Sequence, residues 1–327
     1  MEKVEIPVGI PLDKMKSLSK EKADVLRENG IKTVEALLYR SDELEDLLPD
    51  LSEKTRDLIN IHIEALSLKK MWMVPASEIS ELEKSQIAFT TGSKALDKLL
   101  GGGVHSMYVA EFYGEFGTGK SQILNTIMVE ALHKFKDKTA VYIDCEKTYR
   151  ESRIDEIASK RGYDSRDIIK RIVLIRTVTS VELEEVIRRL YLTVEGRNSI
   201  LVVCDSLISH LRAEYLGREM LQPRQHALAR ILKRLKDLAN LYNIGVVISN
   251  QVVSVPQQTF TPFGDIRPVG GHILGHVTEP RVFVRKAGAL TRIARLEDSC
   301  WLPPGEATFA ITEKGVVDVD EIKEKVG

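Results

Sequence analysis

The chain has 327 residues, 47 Lys and Arg against 48 Asp and Glu, a formal net charge of -1 and a hydrophobic content of 43%. That length suits two unequal domains with material for a sizeable core, and the charge balance excludes an overall positive field, so any nucleic-acid contact must come from local basic patches. The three cysteines, Cys145, Cys204 and Cys300, show no metal-binding spacing; two sit in apolar strand-like runs, as buried free thiols in a reducing compartment do. No apolar run reaches membrane-spanning length and residues 1–5 are not a secretory signal, so a cytoplasmic, intracellular location with no membrane partner is expected.

Residues 1–67 are rich in Lys, Glu and Leu. Apolar residues recur at helical intervals in 20–29 (Ala23, Leu26), 33–39 (Val34, Leu37, Leu38) and 52–66 (Leu58, Ile61, Ala65), and Gly30 reads as a helix stop. A small all-α N-terminal domain is expected, with a docking or spacer role and direct DNA binding both open. Residues 68–90 read as a linker. Its apolar patch, 71–76, is interrupted by Pro75 and either binds a partner or folds back on the chain's own core.

Residues 91–327 predict an α/β core. A strand-like run, 107–113, leads into Gly114-Glu115-Phe116-Gly117-Thr118-Gly119-Lys120-Ser121, which matches G-x-x-x-x-G-K-[ST]; a helix-like run, 122–133, follows with Ile123, Ile127 and Ala131 on one face. Glycines let several backbone N–H groups converge on one polyphosphate, and the helix adds its positive end. Lys120 is placed to neutralise β- and γ-phosphate oxygens and Ser121 to take a position on Mg²⁺. Further strands are expected at 139–144, 171–176, 199–204 and 244–249, separated by helices at 153–161, 181–194 and 224–242. This predicts a mostly parallel sheet with helices on both faces. Strands at 281–285, 291–297 and 307–311 have short connections, which favours antiparallel pairing at one edge.

Ligands of open parallel sheets gather beyond the carboxyl ends of the strands, and polar groups follow several of those ends. Asp205, after four apolar residues, suits a Mg²⁺-site acid, because Mg²⁺ prefers oxygen ligands. Glu146 suits the orientation or deprotonation of an attacking water. Gln251 can report on a γ-phosphate through its amide. Each alone is weak, since strands often end in a solvated acid or amide; the argument is that all three follow strands expected to neighbour the loop strand.

On these residues the chain resembles the archaeal RadA-type recombinases of the RecA superfamily, from about residue 12 to residue 318. The resemblance is strongest at 91–103, 114–122, 212–218, 250–252, 268–272 and 302–307. It implies a RecA-like P-loop NTPase core and a DNA-dependent ATPase that polymerises on single-stranded DNA, pairs it with a homologous duplex and exchanges strands. ATP and Mg²⁺ are the implied cofactors, with ATP held between adjacent protomers. The implied partners are single- and double-stranded DNA, further copies in a filament or ring, and mediator proteins. Carried over by position, Gly114 to Ser121 bind phosphates, Glu146 is the catalytic acid beside Lys120, Asp205 joins Ser121 at the metal, and Gln251 senses the γ-phosphate. Gln122 and Arg153 lie where the family contacts the base, and 298–304, including Asp298 and Pro303, where a neighbouring protomer caps the nucleotide.

Two stretches match the family's DNA-binding loops. The first, 212–225, offers Arg212, Arg218 and Arg224; the second, 253–272, offers Gln257, Gln258, Phe260, Phe263, Arg267, Gly270 and Gly271. A Gly-, Pro- and Gln-rich connection of about twenty residues is too long for a tight link and is usually functional, and arginines can track phosphates; solvated helix-end charges are the competing reading of those arginines. Three departures stand out. Residues 148–153 lack the family's proline after the catalytic acid. The helical domain lacks hairpin glycines at 16–20 and 49–53. The Phe-x-x-Ala polymerisation tether reads Met73-Val74-Pro75-Ala76, with Trp72 beside it. They keep two other readings in view: a recombinase-like assembly factor without strand exchange, and a RecA-fold ATPase without a DNA role.

Overall fold

The computed structural model describes residues 9–48, 55–71, 73–217, 219–254, 266–268 and 277–323. Up to residue 84 the elements are almost all helical. α1 (Lys20–Glu28) opens on Ser19, whose side chain accepts the Lys22 N–H, and stops at Gly30, which takes the left-handed conformation (φ 82°) that such a stop requires. α2 (Val34–Tyr39) opens the same way on Thr33. α3 (Leu44–Leu47) and α4 (Thr55–Leu68) follow. The stretch read as a linker contains a further helix, α5 (Ala76–Lys84), whose described side chains are all exposed. None of its described side chains is buried, so they set no apolar period.

The remainder alternates strand and helix. β1 (Ala88–Phe89), α6 (Lys94–Leu99) and β2 (Val104–His105) lead to β3 (Val109–Gly114), α7 (Lys120–Lys134) and β4 (Thr139–Asp144). α8 (Glu151–Lys160), α9 (Ser165–Lys170), β5 (Ile172–Arg176), α10 (Ser180–Arg197), β6 (Ser199–Asp205), α11 (Ser209–Glu214) and α12 (Leu221–Tyr242) come next. The chain continues through β7 (Gly245–Ser254), β8 (Ile266–Pro268), β9 (Arg281–Lys286), β10 (Thr291–Asp298), β11 (Gly305–Thr312), β12 (Gly315–Asp318) and α13 (Asp320–Lys323). The main sheet runs in the order β12-β11-β10-β9-β3-β7-β6-β4-β5, with β8 paired to β7. Pairing is parallel from β9 to β5 and antiparallel from β9 to β12. The mostly parallel sheet with an antiparallel C-terminal edge is therefore as expected. One expectation is corrected. β3 pairs with β7 and β9, while β6 lies beyond β7 and β4 beyond β6. β7, the last long parallel strand on that side to arrive in sequence, inserts between β3 and β6.

Strand alternation sends successive side chains to opposite faces. Val109, Val141, Ile143, Val202, Cys204, Val246 and Ile248 pack with α10, α12 and the amino-terminal helices. Ala110, Phe112, Ala140, Tyr142, Leu201, Val203 and Val247 pack with α7 and α8. The sheet is thus buried on both sides, which is why its strands read as continuous apolar runs. The amino-terminal helices join the first of these two clusters rather than closing a core of their own. Tyr39 donates its hydroxyl hydrogen to the Ile187 carbonyl, and Arg188–Glu43 and Arg234–Asp42 ion pairs, each 2.8 Å, cross the same boundary. No helix among the described residues is long and apolar enough to cross a membrane.

A buried carboxylate sits in the middle of the sheet. Glu111 on β3 has no exposure and accepts bonds from Asn250 Nδ2 (2.7 Å), Thr278 Oγ1 (3.1 Å) and Arg281 Nε (2.9 Å). Removing one partner of such a pair strands a charge where water cannot reach it. Arg281→Leu is expected to cost about 3–5 kcal/mol in urea unfolding, and the double change with Glu111→Leu should recover much of that loss.

Candidate active site

β3 is buried along its whole length and delivers the chain into the glycine-rich loop. α7 then starts at Lys120 on Gly119, which sits at φ 97° with no side-chain cap, so the first N–H groups of the helix remain available to an anion. Glycine is required at both ends of the loop, at Gly114 by the backbone packed against it and at Gly119 by its left-handed conformation. A Cβ at Gly114 would lie 2.2 Å from the Val284 carbonyl oxygen, and one at Gly119 would lie 2.1 Å from Ile311 Cδ1. Lys120 is buried, and its Nζ donates to the carbonyls of Gly114 (2.9 Å) and Glu115 (2.8 Å). Burial lowers its pKa from the ordinary lysine value, with Asp205 and Glu146 opposing the shift.

The loop forms one wall of a cleft of about 330 Å³ whose lining includes Lys120, Ser121, Gln122, Glu146, Asp205, Ser206 and Gln251. Asp205 is held by two hydroxyls: Tyr142 donates to Oδ2 at 3.0 Å and Ser249 donates to Oδ1. Glu146 lies in a turn built by its neighbour Asp144. That fully buried carboxylate accepts the N–H groups of Thr148 (2.9 Å) and Tyr149 (3.2 Å), while Lys147 takes φ 58°. Side-chain bonds of this kind organise the turn in a segment that lacks the family's proline.

Glu146 Oε1 accepts from Gln251 Nε2 at 3.0 Å, and Gln251 Oε1 accepts from Arg212 Nη1 at 3.2 Å. Burial raises the Glu146 pKa above the usual carboxylate range and Asp205 adds to this, against Lys120 and the Gln251 bond. Ser206 lines the same cleft, and its hydroxyl is buried with no hydrogen-bond partner. An orphaned hydroxyl beside Ser121 and Asp205 makes an all-oxygen donor set, which fits a hard divalent cation such as Mg²⁺. The loop geometry and Lys120 fit a polyphosphate beside it.

Other candidates are partly gathered here. Arg153 Nε donates to Gln122 Oε1 at 2.7 Å, so these two meet, and Arg153 also donates to the Thr312 carbonyl at 2.7 Å. Asp298 and Pro303 are not brought to the cleft of their own chain. Asp298 pairs with Arg281, which is level with Glu111, and Trp301 packs at a tilt against Tyr108 with ring centroids 4.4 Å apart. They therefore lie toward the amino end of β3, away from the loop. Arg212 is exposed on α11 and Arg224 is half-buried in the first turn of α12. Arg267 lies on β8, whose residues extend β7 as a ribbon through Val253↔Arg267. Trp72, Arg218, Gly270, Gly271, Gln257, Gln258, Phe260, Phe263 and the hairpin-like stretch 49–53 lie outside the described residues. Met73 is 86% exposed and Ala76 begins α5. In the other hairpin-like stretch the Lys16 and Ser17 N–H groups both donate to the Glu64 carboxylate, each at 2.7 Å.

Several site residues escaped sequence reasoning. Ser206 and Ser249 adjoin chosen residues, Asp205 and Asn250-Gln251, and that adjacency was the available signal. Arg292 lines the cleft from β10 and donates Nε to the Thr118 carbonyl at 3.0 Å. Its distance in sequence from the loop left no local signal.

The sequence pattern of the Rad51 family matches residues 83–319. The chain is similar to the DNA repair and recombination protein RadA of Aeropyrum pernix, 43% identical over 235 residues, or 70% of this chain and 72% of that protein. It is likewise similar to the DNA repair and recombination protein RadA of Metallosphaera sedula, 37% identical over 302 residues, or 90% of this chain and 92% of that protein. With a match of this extent, laid over a sheet and phosphate loop of the expected arrangement, the chain belongs to the Rad51 family.

Proposed function

We propose that the chain is a DNA-dependent ATPase and recombinase that assembles on single-stranded DNA, pairs it with a homologous duplex and exchanges strands. The observation that carries this reading is the hydrogen-bonded line Arg212–Gln251–Glu146. It joins an exposed arginine in the first DNA-loop candidate to the carboxylate best placed to prepare water at the phosphate cleft. DNA phosphate competing for Arg212 would alter the hold on Gln251, and through it Glu146. Family membership, with relatives named as recombination proteins, favours this reading over the assembly-factor alternative.

In the proposed reaction the loop amides and Lys120 bind the triphosphate, with Gln122 and Arg153 toward the base. Ser121 and Asp205 would hold Mg²⁺, which would supply neutralisation of the phosphate oxygens. Glu146 accepts the proton of the attacking water, a task suited to a carboxyl whose pKa is raised above its ordinary value. Asp298 and Pro303 serve the nucleotide of a neighbouring protomer. Self-association is supported by β5, one of the two edge strands of the sheet among the described residues, with Leu174, Val178 and Val181 exposed on or beside it. Met73 and Ala76, with Trp72, are the proposed tether to such an edge. The division into 1–67, 68–90 and 91–327 assigns docking to the helices, since Glu64 already takes the N–H groups at residues 16 and 17 that would otherwise face phosphate. Arg218, Arg224, Arg267, Gly270 and Gly271 complete the proposed DNA contacts, and mediator proteins are further candidate partners.

ATPase rate with and without single-stranded DNA, alongside strand exchange by the purified protein, tests the whole reading; turnover indifferent to DNA would refute it. Lys120→Ala is expected to lower turnover by at least about 100-fold, on the scale of losing an electrostatic donor to the transferring group, and normal turnover in it would refute the loop assignment. Arg212→Ala should abolish DNA stimulation and reduce the slope of log affinity against log salt by about one; an unchanged slope and full stimulation would show that this arginine meets no phosphate. The pH profile has a defined sign. A protonated Glu146 cannot accept a proton, so the rate falls as pH drops through its raised pKa. Gln251→Leu removes a bond that favours the ionised form, so the acid limb of kcat/KM should move to higher pH.

A further inference from the structure

Two thiols lie directly behind the phosphate cleft. Cys145 Sγ and Cys204 Sγ are 4.0 Å apart, Cys204 on β6 and Cys145 one residue past the end of the adjacent β4, on the α10–α12 side of the sheet. Each immediately precedes a cleft carboxylate, Glu146 and Asp205 respectively, and the Cys145 N–H donates to the Asp205 carbonyl at 2.9 Å. Thr177 Oγ1 lies 3.6 Å from Cys145 Sγ and 2.9 Å from His210 Nε2, so a hydroxyl and an imidazole stand at the same sulfur. Cys145 keeps 6% exposure while Cys204 has none, which makes Cys145 the sulfur a small solute meets first.

We propose that Cys145 and Cys204 form a peroxide-responsive modification site that closes to a disulfide and slows the adjoining phosphate site. The second half rests on the roles assigned above to Glu146 and Asp205; the first does not. In the first step the Cys145 thiolate attacks one oxygen of hydrogen peroxide. An S–O bond forms, the O–O bond breaks, and hydroxide leaves as water after taking a proton from the His210 side or from solvent. In the second, Cys204 sulfur attacks the sulfenic sulfur. An S–S bond forms, the S–O bond breaks, and the departing hydroxide leaves with the Cys204 proton as water. Two thiols lose two electrons in all and the peroxide gains them. Closing 4.0 Å to about 2 Å draws the ends of β4 and β6 together. The carboxylates one residue beyond must then shift relative to Lys120 and Ser121.

The test treats the full chain with hydrogen peroxide and maps thiols by mass spectrometry after trypsin digestion. The expected product is peptide 139–147 linked to peptide 198–212, with loss of DNA-stimulated ATPase, both reversed by dithiothreitol. Cys204→Ala should give no linked pair and, under the same treatment, a sulfenic acid at Cys145. Oxidation confined to Cys300, or sulfinic acid at Cys145 with no linked pair in the unaltered chain, would overturn the site. A linked pair with unchanged ATPase would overturn its hold on the phosphate cleft. Absence of ATPase in the reduced protein would count against the proposed activity alone, because the peptide map needs no turnover.

Discussion

Register between parallel strands is the constraint from which the site follows. Gly114 pairs with Gln251 across β3 and β7, Cys204 with Ile248 across β6 and β7, and Asp144 with Asp205 across β4 and β6. Those pairings bring the phosphate loop, the amide, the metal-site acid and the turn that carries Glu146 to one edge of the sheet. A slip of one residue in β7 would turn Gln251 to the other face. It would then meet neither Glu146 nor Arg212. Apolar burial on both faces is what forbids the slip: Val246 and Ile248 belong to one core and Val247 to the other.

Behind that edge lies a set of buried polar groups that are nearly all partnered. Glu111, Asp144 and Asp205 each accept at least two bonds, from Asn250, Thr278 and Arg281, from backbone N–H groups, and from Tyr142 and Ser249. In a low-dielectric interior such bonds fix orientation strongly, because the alternative is an unpaired charge. Arg281 Nη2 and the Ser206 hydroxyl depart from the pattern, both buried without a partner, and of these two residues Ser206 is the one that lines the cleft. A group left unsatisfied in surroundings otherwise satisfied is what a ligand-binding position requires.

Much of this was legible before any coordinates. β4 falls at the residues expected, 139–144, and β5, β6, α10 and α12 differ from expectation by a few residues at their ends. Long apolar runs and a strong loop motif carry their own signal. β7 was read as ending at Ser249 but continues to Ser254, because pairing with β8 holds its last residues, and no local pattern announces a partner strand. α9 and β12 are short enough that tertiary packing, not periodicity, decides them. The order of strands was misjudged for a similar reason: three polar strand ends were placed beside the loop strand, whereas β7 alone of them touches it. Sequence shows which strands exist, and the crossovers decide which lie together.

The two ends of the sheet now bear on assembly. The phosphate loop is at the carboxyl end of β3, while Asp298 is level with Glu111 within β3 and Trp301 packs on Tyr108 just before it. A nucleotide seated on the loop is therefore out of reach of residues 298–304 of the same chain. In the proposed reading those residues act on a nucleotide only if protomers stack head to tail, carboxyl end against amino end. A contact between two different surfaces propagates: it closes into a ring when the rotation permits and otherwise runs on as a helix. The exposed helix α5 and the exposed Met73 before it lie in the segment best suited to set that rotation, since its packing within its own chain does little to constrain it. Polymer geometry would then depend on how residues 71–84 meet a neighbouring β5 edge, and the chemistry of each cleft on the chain beside it.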